Sequence, residues 1–242
     1  MIPAPTPDDL LGIAEALAQR GARGFLLSGG SDSKGRVDLS RFIPAIKEIK
    51  ATTDLKINAH VGLTPSEELG LLASSGIDSF SVDLYGDKLT IHEVLGLDAR
   101  VDDYFCVLEE LNKLGAMTAP HICVGIHRGE LKGELLIIER LKKLEPRTLI
   151  LISLIPTRGS AYEKIHAPDG PLIRSVIEKA RGELPSTKLV LGCMRSKMER
   201  AYEYDLVRAG LDGIVLPSTK TIDRLQADGY TIKRRATCCS LI

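Results

Sequence analysis

Short apolar segments alternate with longer segments of helical periodicity along the whole chain. Thr6 and Pro7 predict the start of the first helix, because threonine is a favoured N-cap residue and proline suits the first helical turn. Gly21 and Gly24 predict its end, and the apolar residues 25–27 predict a short strand directly afterwards. The chain therefore opens with a helix that is followed by a strand.

The same alternation continues to the C-terminal region. Thr64 and Glu67 predict a capping box at the start of the third helix, in which the hydroxyl and the carboxylate satisfy unpaired amides at the helix start. Further helices are predicted over residues 39–49, 102–114, 134–144, 171–184, 202–209 and 221–227. Further strands are predicted over residues 55–60, 80–83, 116–123, 148–155, 188–193 and 212–217.

The predicted strands are almost continuously apolar, as residues 149–152 illustrate. This composition is typical of parallel strands that are buried on both faces by helical crossovers. The sequence therefore predicts an α/β fold, a parallel (β/α) TIM-type barrel in which seven strands are visible and the first strand is expected upstream of Met1. An open doubly wound sheet is the alternative fold. We expect one domain over residues 1–242, with a short C-terminal tail from about residue 229.

Composition narrows the possible functions. The chain has 32 Lys and Arg against 32 Asp and Glu, which gives it no electrostatic attraction for nucleic acid or for an anionic membrane. Aromatic residues make up 4% of the chain and Trp is absent, so there is little material for stacking on bases. No targeting segment or long apolar stretch is found, and the five Cys are an odd number, so we expect a cytoplasmic protein with reduced thiols.

Polar residues follow the predicted strands, at the end of a barrel where active sites are built. Gly29 and Gly30 fit either a tight turn that requires positive φ or a backbone that approaches an anionic ligand closely. Asp83 ends an apolar strand, where a carboxylate needs a partner such as a cation or a pair of ribose hydroxyls. The other candidates for a substrate or auxiliary site are Asn58, His60, His121, Cys123, Arg158, Cys193 and Arg195.

Each of these residues also has a structural interpretation. A histidine that ends a strand can be a hydrogen-bonded core residue, and an arginine near the rim can be an ordinary surface cation rather than a carboxylate clamp. Cys238 and Cys239 are weak candidates for metal ligands on a tail that could fold back over the barrel mouth, and they would need a third ligand. No local Cys motif, P-loop or Gly-x-Ser-x-Gly motif occurs.

The ordered set of strand-end segments resembles the radical S-adenosylmethionine superfamily, and within it the biotin synthase-like proteins. The segments that carry this resemblance are residues 22–30, 56–63, 81–87, 120–125, 133–134, 156–159 and 192–195. The resemblance implies S-adenosylmethionine bound against a [4Fe-4S] cluster. It implies cofactor contacts at Gly29, Gly30, Ser31, Ser81, Asp83, Val124 and Gly125. In the family, the Gly-Gly turn holds the methionyl amino group, the strand-end polar residues contact the ribose, and the later glycine loop lies along the adenine.

The family's C-x3-C-x2-C cluster motif does not occur in the sequence. Its ligands are expected upstream of Met1, unless the protein descends from such an enzyme and has lost the cluster. The resemblance implies hydrogen abstraction or sulfur insertion on an aliphatic acid-like substrate, small or carrier-bound, as in lipoyl and biotin synthase-related proteins, with a related radical S-adenosylmethionine protein as a possible partner. The alternatives are a cluster-less barrel lyase or aldolase and a non-catalytic partner subunit.

Overall fold

The computed structural model describes residues 2–197 and 200–241 and contains the seven predicted strands. The strands are β1 Gly24–Leu27, β2 Lys56–His60, β3 Ser79–Asp83, β4 Thr118–Val124, β5 Thr148–Ser153, β6 Lys188–Leu191 and β7 Gly213–Ile214. The α-helices are α1 Pro7–Gln19, α2 Ile43–Thr52, α3 Ser66–Ala73, α4 Val101–Lys113, α5 Glu134–Leu141, α6 Gly170–Glu183, α7 Glu203–Arg208 and α8 Thr219–Ala227. Short 3-10 turns cover Ser40–Phe42 and Cys239–Leu241, and a π-helical turn covers Thr90–Val94.

The strands form one parallel sheet in the order β1 to β7, which is their order along the chain. In this register Leu26 of β1 lies opposite Asn58 of β2, and His60 lies opposite Ser81 of β3. A doubly wound sheet would reverse its strand order at a switch point, so this alternative is wrong. The prediction of a parallel (β/α) TIM-type barrel fold with seven visible strands is confirmed.

The chain divides into two compact units. The first unit contains residues 2–82, 102–119 and 236–241, and the second contains residues 83–101 and 120–235, apart from residues 198 and 199. Helices α1 to α4 with β1 and β2 belong to the first unit, and α5 to α8 with β5 to β7 belong to the second. The expectation of one domain over residues 1–242 stays a prediction.

The two predicted helix starts have different outcomes. At α1 the Thr6 hydroxyl accepts the Asp9 amide at 3.2 Å while the Asp9 carboxylate accepts the Thr6 amide at 3.0 Å, as a capping box requires. At α3 the predicted box is wrong, because Pro65 is the N-cap and no side chain caps the helix. The buried Thr64 hydroxyl instead donates to the carbonyl of Val61 at 2.6 Å, which turns it away from the helix.

Two aspartates tie the sheet together where strands begin. Asp78, just before β3, accepts the Ile57 amide of β2 at 2.9 Å, and Asp212, just before β7, accepts the Leu189 amide of β6 at 2.8 Å. Each carboxylate also forms an ion pair with a cation of a nearby helix. For Asp78 this cation is Lys50 of α2, the helix that precedes β2. The same supporting contact therefore occurs once in each unit.

Candidate functional site

In the first unit, β2 and β3 carry polar side chains on one face. Asn58 and His60 alternate with apolar residues along β2, and Ser79 and Ser81 do the same along β3. Asn58, Ser79 and Ser81 are no more than 3% exposed. By contrast, residues 149–151 of β5 are apolar on both faces and fully buried. Buried polar groups are destabilising unless they have hydrogen-bond partners. A core that only stabilises the fold therefore does not require this polar face.

Asn58 and Ser81 supply part of those partners to each other. The Asn58 amide nitrogen donates to the Ser81 hydroxyl oxygen at 2.9 Å, and Ser81 Oγ lies 3.2 Å from the Asn58 amide oxygen. Ser79 is fully buried, and its hydroxyl has no hydrogen-bond partner among the described residues. One hydroxyl of the polar face is therefore left with unused hydrogen-bonding capacity, which a bound molecule could use.

The C-terminal tail contacts this polar face. Ser240 Oγ lies 3.1 Å from Ser81 Oγ, and the Asn58 amide nitrogen lies 3.9 Å from Cys238 Sγ. Cys238 Sγ also lies 3.9 Å from Cys239 Sγ. The hydrogen bond from Cys239, helped by contacts with Ser240 and Asn58, lowers the pKa of the Cys238 thiol to about 6 although burial opposes this shift. The tail thus brings a thiolate-forming cysteine to two of the predicted site residues.

The loop after β1 is exposed and holds Gly29, Gly30 and Ser31. Neither glycine has a positive φ, so the tight-turn interpretation is wrong. A Cβ atom on Gly29 would make only an ordinary 3.6 Å contact with Val37, and one on Gly30 would meet nothing within 4 Å. The backbone therefore leaves room for a side chain at both positions, and the ligand contact that the sequence resemblance implies at these glycines stays a prediction.

In the second unit, Asp83 is half-buried at the end of β3, and Cys123 lies in β4. Burial, with added repulsion from the carboxylates of Asp83 and Glu134, raises the pKa of the Cys123 thiol to about 12. The thiolate is the form that binds soft metals. At neutral pH Cys123 is consequently a protonated, half-buried thiol, and its role in a substrate or auxiliary site stays a prediction.

Glu134 positions the loop that follows β4. Its carboxylate is 2% exposed and accepts the amides of Gly125 at 2.8 Å and Lys132 at 2.6 Å. Burial raises the pKa of Glu134, while these backbone hydrogen bonds oppose the shift. Gly125 has φ of +71°, and a Cβ atom there would overlap the ring of Pro168. The predicted adenine loop at Val124 and Gly125 is therefore a fixed backbone turn that depends on glycine.

Arg195 has a structural partner rather than an open position. Its guanidinium is fully buried, donates to Glu203 at 2.7 Å and donates to the carbonyl of Gly192 at 2.6 Å. The second Glu203 oxygen accepts the Ser218 amide at 2.8 Å and the Thr221 hydroxyl at 2.9 Å. This network pairs the charge of the arginine, although its Nε atom has no hydrogen-bond partner among the described residues, and its substrate or auxiliary role stays a prediction.

The remaining predicted residues lie at strand ends or in loops. His60 and His121 are half-buried in β2 and β4, while Arg158 and Cys193 are exposed in the loops after β5 and β6. Across residues 2–197 and 200–241, no three His, Cys, Asp or Glu side chains are grouped so that they could hold a metal ion. Within the same residues, no helix is both long and apolar enough to cross a membrane.

Ser79, Glu134 and Ser240 were not predicted from the sequence as site residues. A signal existed for Ser79, which stands two positions before Ser81 and hence on the same face of the strand. Glu134 follows Gly133 at a helix start, but its contact with Gly125 depends on a loop whose path no local pattern specifies. No sequence pattern indicated Ser240, because it contacts Ser81, which lies 159 positions earlier in the chain.

The chain is similar in structure to several known enzymes. One is the FeFe-hydrogenase maturase HydG from Carboxydothermus hydrogenoformans, with 17% identity, a TM-score of 0.64, and coverage of 86% of this chain and 50% of HydG. Another is methylornithine synthase (PylB), with 15% identity, a TM-score of 0.63, and coverage of 94% of this chain and 73% of the PylB chain. A third is the HMG-CoA lyase from Brucella melitensis, with 13% identity, a TM-score of 0.58, and coverage of 94% of this chain and 85% of the lyase chain.

These similarities concern the fold. The chain spans about half the length of the HydG chains it matches. No protein-family model matches the sequence, and no curated protein matches it either. The comparisons therefore show that the chain shares the (β/α) barrel fold of these proteins, and a shared fold does not by itself specify a function.

Proposed function

We propose that this chain is the barrel of a radical S-adenosylmethionine-type protein and that it binds S-adenosylmethionine. HydG and PylB are radical S-adenosylmethionine enzymes, and their fold matches most of this chain. The biotin synthase-like assignment, with an aliphatic acid-like, small or carrier-bound substrate and a related protein as partner, belongs to this proposal. It rests on the sequence resemblance.

The polar face of β2 and β3 is the observation that carries the proposal. It places hydroxyl and amide groups beside each other on neighbouring strands, unlike the apolar body of β5, and the buried Ser79 hydroxyl has no partner in the described part of the chain. An adenosyl group with a methionyl tail presents hydroxyls, ring nitrogens and charged groups that such side chains can recognise. The glycines of the loop after β1, which no positive φ or close contact requires, add backbone amides with open space beside them.

The residues present fit the two cofactors differently. For S-adenosylmethionine the chain offers the polar face, the glycine loop after β1 and the half-buried carboxylate of Asp83. For the [4Fe-4S] cluster, the described residues contain no group of three ligating side chains. The function proposed for the described residues is therefore the binding of S-adenosylmethionine.

The test is isothermal titration of the protein with S-adenosylmethionine, with Asp83→Asn as the variant. We expect binding by the unmodified protein and a dissociation constant about tenfold to a hundredfold higher for the variant, because a hydrogen bond to a charged acceptor contributes about 1.5–3 kcal/mol. Asp98→Asn, which removes an exposed carboxylate, is the matched control and should leave binding unchanged. If Asp83→Asn and the control bind S-adenosylmethionine with equal affinity, Asp83 does not contact the ribose.

A barrel lyase or aldolase without a cluster is the competing function. The similarity to an HMG-CoA lyase shows that the same fold serves that chemistry. Absence of S-adenosylmethionine binding, together with turnover of an acyl or keto-acid substrate, would favour the lyase. Absence of both would favour a non-catalytic partner subunit.

A further inference from the structure

The last residues of the chain bring two adjacent thiols into contact inside the first unit. Cys238 and Cys239 have their sulfur atoms 3.9 Å apart, and the peptide bond between them is trans. Cys239 is buried, while Cys238 is only partly exposed, so a small molecule can reach the pair from the side of Cys238. Neither thiol has a role in the proposed binding of S-adenosylmethionine.

The setting of Cys238, in the C-terminal tail, differs from that of Cys123 in β4, which is also half-buried. At Cys123, burial and two nearby carboxylates keep the thiol protonated, whereas at Cys238 hydrogen bonds from Cys239, Ser240 and Asn58, all neutral groups, favour the thiolate. Hydrogen-bond donors stabilise a thiolate, and the thiolate is the reactive form of cysteine. A second thiol in contact is what allows an oxidised cysteine to be resolved within the same molecule.

We propose that Cys238 and Cys239 form a redox-active pair that hydroperoxides convert into an intramolecular disulfide. The Cys238 thiolate attacks one peroxide oxygen, so an S–O bond forms, the O–O bond breaks, and the other oxygen leaves as hydroxide or alkoxide. The sulfur is oxidised by two electrons to sulfenic acid while the peroxide is reduced. The sulfur of Cys239 then displaces the sulfenic oxygen, which leaves with the thiol proton as water. In sum, two thiols and one hydroperoxide yield one disulfide, one water, and one further water or alcohol.

Oxidation has a structural consequence at the polar face of β2 and β3. A disulfide holds its sulfur atoms about 2.05 Å apart, so the two atoms must approach each other from their present 3.9 Å. Adjacent Cα atoms across a trans peptide are about 3.8 Å apart, less than the usual disulfide range, so the ring distorts the backbone at Cys239 and is easily reduced. The 3-10 turn begins at Cys239, and Ser240 contacts Ser81 directly after it. Oxidation therefore withdraws the tail from Asn58 and Ser81, and a reductant returns it.

Peptide mapping gives a direct test. Trypsin cleaves after Arg235 and releases residues 236–242 as one peptide that contains both cysteines. After treatment of the native protein with hydrogen peroxide and alkylation of remaining thiols, we expect this peptide to be 2 Da lighter than its reduced form and unalkylated. The protein's thiol count should fall from five to three. Cys239→Ser should stop at a sulfenic acid that a 1,3-dione reagent traps, and Cys238→Ser should oxidise severalfold more slowly.

The matched control is Cys106→Ser, which removes an exposed cysteine of α4 and should oxidise in the tail as the unmodified protein does. Alkylation of both tail cysteines after peroxide treatment would overturn the proposal. So would equally fast disulfide formation in urea-unfolded protein, since the folded arrangement would then contribute nothing. Hydrogen exchange at residues 236–241 tests the coupling: protection should fall on oxidation and return on reduction, and unchanged protection would overturn the withdrawal of the tail. These outcomes are independent of S-adenosylmethionine binding, which is measured separately.

Discussion

A buried polar cluster of the first unit and one of the second unit are built differently. In the second unit the side chains of Arg195 and Glu203 are both fully buried, and most of their hydrogen bonds are 2.6 to 2.9 Å long, with a longer one of 3.5 Å from Arg195 to the Leu216 carbonyl. In the first unit Asn58 and Ser81 are neutral, and the tail atoms that contact them lie 3.1 to 3.9 Å away. The charged cluster is closed by short contacts, whereas the neutral one is held loosely by a tail.

The difference follows from the free energy of removing each group from water. An isolated buried charge is strongly destabilising, so an arginine and a glutamate in the interior must be paired and hydrogen-bonded almost completely. A neutral amide or hydroxyl carries a smaller desolvation penalty, and it can exchange one partner for another at little cost. The charged cluster is therefore suited to holding loops in place, and the neutral cluster is suited to binding a molecule in place of the tail.

The largest expected effect comes from breaking the charged cluster. Glu203→Gln leaves the Arg195 guanidinium buried without its counter-charge, so we expect the free energy of unfolding to fall by about 3–5 kcal/mol. Urea denaturation followed by circular dichroism measures this loss. Glu48→Gln, at an exposed position of α2, is the control and should change stability by less than about 0.5 kcal/mol. A loss for Glu203→Gln as small as that of the control would show that the network is not needed for stability.

A smaller effect is expected where each unit repeats the same aspartate contact. Asp78 has a side chain that is 17% exposed and pairs with Lys50 and Lys56, whereas the Asp212 side chain is 49% exposed. We expect Asp78→Asn to lower the free energy of unfolding by about 1–2 kcal/mol, and Asp212→Asn by about 0.5 kcal/mol because solvent screens its ion pair. The two variants control for each other, since both keep an oxygen for the strand amide. Equal losses would mean that burial does not set the strength of this contact.

The effect of Asp78 should also depend on pH. Burial alone would raise the pKa of Asp78, but hydrogen bonds from Lys50, Lys56 and the Ile57 amide hold it below the ordinary value of 3.8. Because the folded state favours the ionised form, the contribution is fully present above that ordinary value and is lost as the pH falls through the lower folded pKa. The difference in unfolding free energy between the unmodified protein and Asp78→Asn should therefore shrink in acid. A difference that stays constant down to pH 2 would contradict this linkage.

The sequence predicted the fold more fully than it predicted the site. Strand positions follow from apolar runs such as residues 148–153, because periodicity and burial are local properties of the chain. The capping box at Thr64 was predicted wrongly because a competing carbonyl of Val61 lies within reach of the hydroxyl. The partners of Arg195 and Ser81 could not be predicted, since these contacts join parts of the chain whose distance in space no local pattern specifies.

The smallest effects distinguish two serines on the same face of β3. Ser81 is hydrogen-bonded to Asn58 and lies next to Ser240, so Ser81→Ala should lower the free energy of unfolding by about 1 kcal/mol. Ser79 is equally buried but has no partner in the described part of the chain, so Ser79→Ala should leave stability unchanged or raise it slightly. Thermal unfolding of both variants measures the contrast. If S-adenosylmethionine binds the Ser79 hydroxyl, Ser79→Ala should lower the affinity for S-adenosylmethionine without lowering the stability of the fold. A stability loss at Ser79 as large as that at Ser81 would instead mean that the Ser79 hydroxyl is already satisfied in the folded protein, and that it has no unused capacity for a ligand.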